Sequence, residues 1–105
     1  MEDKLQYIRR NLSYPDAVGQ IAEEATELAH AALKLERAVR GTNPTPVTVP
    51  EAINKVIEEI ADVLNAMEVL QFYPDMDSIV KVRYEKMDRW IERLKEKEAE
   101  VQHGH

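Results

Sequence analysis

From Val18 to Val39 apolar residues recur in steps of three and four: Val18, Ile21, Ala25, Leu28, Ala32, Leu35 and Val39. That period marks one face of an α-helix, and an alternating strand does not accommodate it. The start is marked by Ser13-Tyr14-Pro15-Asp16. Ser13 can cap, Pro15 suits an early helical position, and Asp16 suits the positive end of the dipole. Gly41 is a natural stop. The spacing therefore predicts a helix from about Tyr14 to Arg40. Beside its apolar stripe runs a second line: Gln20, Glu24, Glu27, Ala31 and Lys34.

The rest of the chain reads the same way. Leu5, Ile8 and Leu12 make the segment Met1 to Leu12 a short amphipathic helix. Asn43-Pro44-Thr45-Pro46 breaks regular structure, so Thr42 to Pro50 is a loop. Thr48-Val49-Pro50-Glu51 repeats the capping pattern and opens a third helix, expected from about Pro50 to Phe72. That helix is apolar on most faces (Ile53, Val56, Ile57, Ile60, Val63, Leu64, Met67, Leu70) and belongs at the centre of a bundle. Tyr73-Pro74-Asp75 is a turn. The last helix carries Met76, Val80, Tyr84, Met87, Ile91 and Leu94, then a charged run to Glu100, with residues 101–105 expected to fray. No strand signal competes. The expectation is one domain over residues 1–105, an all-α bundle of one short and three long helices.

Into this apolar pattern the chain sets two pairs of acids, Glu24 with Glu27 and Glu59 with Asp62. At i and i+3 each pair lies on one helix face, where like charges repel. Asp62 is embedded in Ile60-Ala61-Asp62-Val63-Leu64, and carboxylates buried without partners are costly. If the two helices pack side by side, four carboxylates meet and require cations. An all-oxygen donor set favours hard divalent ions such as Mg²⁺ or Mn²⁺. The chain has no cysteine, which excludes a thiolate metal site and a disulfide framework.

Here the residues resemble a family. Glu24-x-x-Glu27 followed by Glu59-x-x-Asp62 is similar to the ExxE…ExxD signature of the MazG-like all-α nucleoside triphosphate pyrophosphatases. The contexts Ala22-Glu23-Glu24-Ala25-Thr26-Glu27-Leu28 and Glu58-Glu59-Ile60-Ala61-Asp62-Val63-Leu64 carry the likeness, and Asn43-Pro44-Thr45-Pro46 resembles the loop of its small members. The resemblance implies a helical bundle of that type, hydrolysis of (d)NTPs to monophosphate and pyrophosphate, and a dependence on Mg²⁺ or Mn²⁺. It implies metal ligation by Glu24, Glu27, Glu59 and Asp62, and assembly as a homodimer or homotetramer. Glu27 is also the candidate acceptor of a proton from attacking water. Lys34, two turns beyond Glu27, is a candidate phosphate contact, and Asn65 a candidate contact to sugar or metal-bound water. In the last helix, Lys86 and Arg89 are further phosphate candidates, although the cluster with Lys81 and Arg83 departs from the family pattern.

Each of these residues has a plainer reading beside the functional one. Glu in a helical chain with 32% charged residues commonly faces solvent in salt bridges, and Lys34 can serve a neighbouring acid in that way. Trp90 and Tyr84 can stack on a base, but an aromatic on a helical stripe is more often core. Taken throughout, the plain reading makes the chain a non-catalytic helical interaction module. A third reading, a di-iron carboxylate bundle, would use Glu27 and His30 as an ExxH pair. It lacks the second ExxH that such sites need.

The net charge of −6 argues against nucleic acid as the main partner. No apolar run reaches bilayer length, and Met1-Glu2-Asp3-Lys4 does not begin a signal peptide. A cytoplasmic protein without a membrane partner is the expectation.

Overall fold

A computed structural model describes residues 3–42, 47–70 and 76–103. All regular structure among them is helical: α1 (Lys4–Arg10), α2 (Tyr14–Arg40), α3 (Val49–Leu70) and α4 (Met76–His103). The all-α expectation holds. The chain divides into two compact units, Met1–Gln71 with α1 to α3 and Phe72–His105 with α4.

The helix boundaries follow from local chemistry. The Ser13 hydroxyl accepts a hydrogen bond from the Asp16 N–H at 3.2 Å. At the other end of α2, Gly41 takes the left-handed conformation at φ 73°, where a Cβ would be strained. Thr48 and Glu51 cap α3 reciprocally. The Glu51 N–H donates to Thr48 Oγ1 at 3.2 Å, and the Thr48 N–H donates to Glu51 Oε2 at 3.4 Å. The loop residues Asn43 to Pro46 and the turn Tyr73-Pro74-Asp75 lie outside the described residues, as does Phe72. At the C-terminal end α4 continues to His103, into the stretch expected to fray.

In the first unit α2 and α3 form an antiparallel hairpin. Ala17 near the start of α2 lines the same cavity as Leu70 at the end of α3, while Glu24 and Glu27 meet Glu59 farther along. α1 packs on α3. Its Arg9 guanidinium donates to the carbonyls of Glu68 at 2.6 Å and Val69 at 3.4 Å. A cation there satisfies carbonyls that the helix end leaves open.

The buried line of α2 differs from the expected stripe. It runs through the buried Ala17 and Ala31 and the half-buried Gln20, Ile21, Glu24, Leu28, Leu35 and Ala38, while Val18, Ala25, Ala32 and Val39 are exposed. The helix is turned toward its acidic line because the small residues Ala17 and Ala31 let the backbones approach. On α3 the line is the buried Ala52, Glu59, Ala66 and Leu70 with the half-buried Val56 and Val63, again with alanines at the contact. α3 is therefore not covered on all sides within its unit. Val49, Ile53, Ile57, Ile60, Leu64 and Met67 form an exposed apolar stripe, roughly a quarter turn from the buried line. In the second unit, taken by itself, the stripe of Met76, Val80, Tyr84, Met87, Ile91 and Leu94 is also exposed, as is Trp90. Tyr84 and Trp90 are exposed within that unit.

Candidate metal centre

Where α2 and α3 cross, Glu24, Glu27 and Glu59 converge. One carboxylate oxygen from each lies within 4.8 Å of the others. The i, i+3 spacing brings the two α2 acids to one face, and the buried line of α3 brings Glu59 to meet them.

The three acids sit in different surroundings. Glu59 is only 3% exposed. Its Oε1 accepts an ion-paired hydrogen bond from Lys55 Nζ at 3.0 Å. Its Oε2 is buried and has no hydrogen-bond partner among the described residues. Glu24 is half-buried. Its Oε1 accepts from Gln20 Nε2 at 2.7 Å, and its Oε2 is again buried without a partner. Glu27 is exposed. The charge of Glu24 first, then that of Glu59, raises the Glu27 carboxyl above its ordinary pKa, and loss of water adds to the rise. The Lys55 ammonium is held above its ordinary pKa by its hydrogen bond to Glu59 and then by the charge of Glu58.

Two orphaned carboxylate oxygens at one helix crossing are an unfavourable arrangement for a protein alone, since each forgoes hydration with nothing in return. A hard divalent cation would compensate both. The donor set, oxygens only, fits Mg²⁺ or Mn²⁺.

Asp62 is not part of this trio. It lines a neighbouring cleft of about 230 Å³ together with Gln20, Glu24 and Asn65, to which Ile8 of α1 and Leu12 beyond its end also contribute. Glu24 borders both places. Lys34 is exposed on α2, and His30 is exposed and outside the trio. Lys86 and Arg89 line a groove with Arg83, Trp90 and Arg93 along α4, within the second unit.

Sequence reasoning missed Lys55 and the bond from Gln20. Both precede an acid of the trio by four residues, the spacing of neighbours on a helix, so the signal was present once those acids were singled out.

Comparison of the chain with protein-family models, curated proteins and solved structures finds no match. No described helix is long and apolar enough to cross a membrane.

Proposed function

We propose that this chain is a metal-dependent nucleotide pyrophosphohydrolase of the MazG-like kind, cleaving (d)NTPs to monophosphate and pyrophosphate in the cytoplasm. The observation that carries the reading is the buried, unpartnered oxygen of Glu59 beside Glu24 and Glu27. A solvated acidic face would leave its carboxylates in water.

In this reading Glu24, Glu27 and Glu59 hold Mg²⁺ or Mn²⁺, with Asp62 supplying a further carboxylate from the adjoining cleft. The bound ion would bind phosphate oxygens and make a water more acidic. Phosphoryl transfer asks the protein mainly for positioning and charge stabilisation. Gln20 orients Glu24, and Lys55 together with burial orients Glu59. Glu27 is the solvent-facing member, and its exposure leaves it within reach of an attacking water as proton acceptor. Lys34 is the proposed phosphate contact within the first unit, and Asn65 the proposed contact to sugar or metal-bound water; Lys86 and Arg89 belong to the groove of the second unit. The exposed stripes on α3 and α4 suit assembly as a homodimer or homotetramer.

The test is pyrophosphate release across a panel of dNTPs and NTPs. Release is expected with Mg²⁺ or Mn²⁺, lost in EDTA and restored by excess metal. Full activity in EDTA, or no release from any nucleotide, overturns the proposal.

A further inference from the structure

We infer that Lys55 is a built-in counter-cation of the carboxylate trio, which moves from Glu59 to Glu58 when a divalent cation binds and so lowers the affinity of the site for metal. The inference rests on reading the trio as a metal centre. It is carried by an asymmetry around Lys55. Its Nζ lies 3.0 Å from Glu59 Oε1 and 3.6 Å from Glu58 Oε2. The Glu59 side chain is 5% exposed and that of Glu58 is 66% exposed, while Lys55 itself is 56% exposed. Glu59 is therefore held in place, whereas Lys55 is free to swing on its flexible stem.

That position of Lys55, in contact with both acids, is the metal-free state; in the metal-loaded one the contact to Glu59 is given up and that to Glu58 kept. In the metal-free protein the ammonium neutralises the most buried acid, whose other oxygen has no partner. A dication placed among Glu24, Glu27 and Glu59 would be repelled by an ammonium 3.0 Å from one of its ligands. Glu58, one residue before Glu59, offers the displaced ammonium an acceptor in water. That acceptor returns little, because exposed ion pairs at helical spacing are weak, so the lost contact with Glu59 counts against metal binding. Lys55 thus supports the metal-free fold and opposes loading, which raises the metal concentration at which the site fills.

Mn²⁺ titration of the full chain tests this, with free ion followed by its electron paramagnetic resonance signal. Lys55→Met should bind Mn²⁺ roughly fivefold more tightly than wild type, the scale of a half-exposed ion pair. Lys55→Arg, which keeps the charge, should stay near wild type. Glu58→Gln should weaken binding by removing the alternative acceptor, and that loss should shrink in the Lys55→Met background. A second measurement covers a marginal metal-free fold: the rise in melting temperature on adding Mn²⁺ should be larger in Lys55→Met than in wild type. Unchanged or weaker binding by Lys55→Met, with wild type binding normally, overturns the role of Lys55 alone. Failure of wild type to bind Mn²⁺ overturns the metal centre and this inference with it.

Discussion

At the scale of single residues, the two acids of Glu59-x-x-Asp62 lie one helical turn apart in different environments. Glu59 belongs to the buried line, while Asp62 lines the adjoining cleft. Glu59→Gln relieves repulsion within the trio but breaks the ion pair with Lys55, so in EDTA it should melt at or below the wild-type temperature. Its stabilisation by Mn²⁺, which arises from preferential binding to the folded state, should vanish. Asp62→Asn should reduce that stabilisation and lower catalysis by orders of magnitude. Melts of both variants and wild type, in EDTA and in excess Mn²⁺, give the answer; a wild type that gains nothing from metal sinks the site. Glu27 supplies a pH test. Its folded pKa is raised, so between the ordinary carboxylate value and the raised one the folded state holds the extra proton. Stability of the chelated protein should therefore be greater at the acid end of that window, and be lost as pH rises through the folded pKa. Glu27→Gln should remove this component. Equal pH slopes in wild type and variant would contradict the assignment.

At the scale of elements, the distance from α2 to α3 sets the distance from Glu24 and Glu27 to Glu59. Small side chains hold it: Ala31 and Ala66 are each 4% exposed at the contact. Ala66→Leu forces bulk between the helices and should destabilise the hairpin by about 1–3 kcal/mol. It should also weaken Mn²⁺ binding, although Ala66 carries no ligand atom. Urea unfolding and metal titration measure the two effects together. Loss of stability with unchanged metal binding would separate the helix spacing from the site.

At the scale of the whole molecule, the first unit by itself leaves an apolar stripe uncovered. Ile57 is 59% exposed and Leu64 56% exposed on the α3 stripe, which runs along five turns of helix without a cover in its own unit. Contiguous apolar surface of this kind marks an interaction site. The expected outcome is a dimer or tetramer at micromolar concentration by sedimentation velocity. Ile57→Glu should shift it toward monomer. A monomeric wild type would count against self-association, and would leave the α3 stripe to another partner.

The helices themselves were legible from the residues. Ser13, Gly41 and the Thr48/Glu51 pair mark boundaries through bonds made within a few residues, and the three-and-four period follows from covalent geometry. The acids of the trio were legible too, because charge at i and i+3 inside apolar sequence is a local anomaly. What a helix turns toward its neighbour is not local. On α2 the apolar stripe was the expected face, and the contact chose instead a line between it and the acidic one, through Ala17, Glu24 and Ala31, because close backbone approach outweighed burial of Val18 and Val39. The same choice on α3 sank Glu59, left Asp62 at a cleft and left Ile57 outside. The sequence by itself determined which residues are helical and which acids share a face. Only the tertiary structure decided which carboxylate loses its water, because the rotation of a helix about its axis is settled by the shapes packed against it.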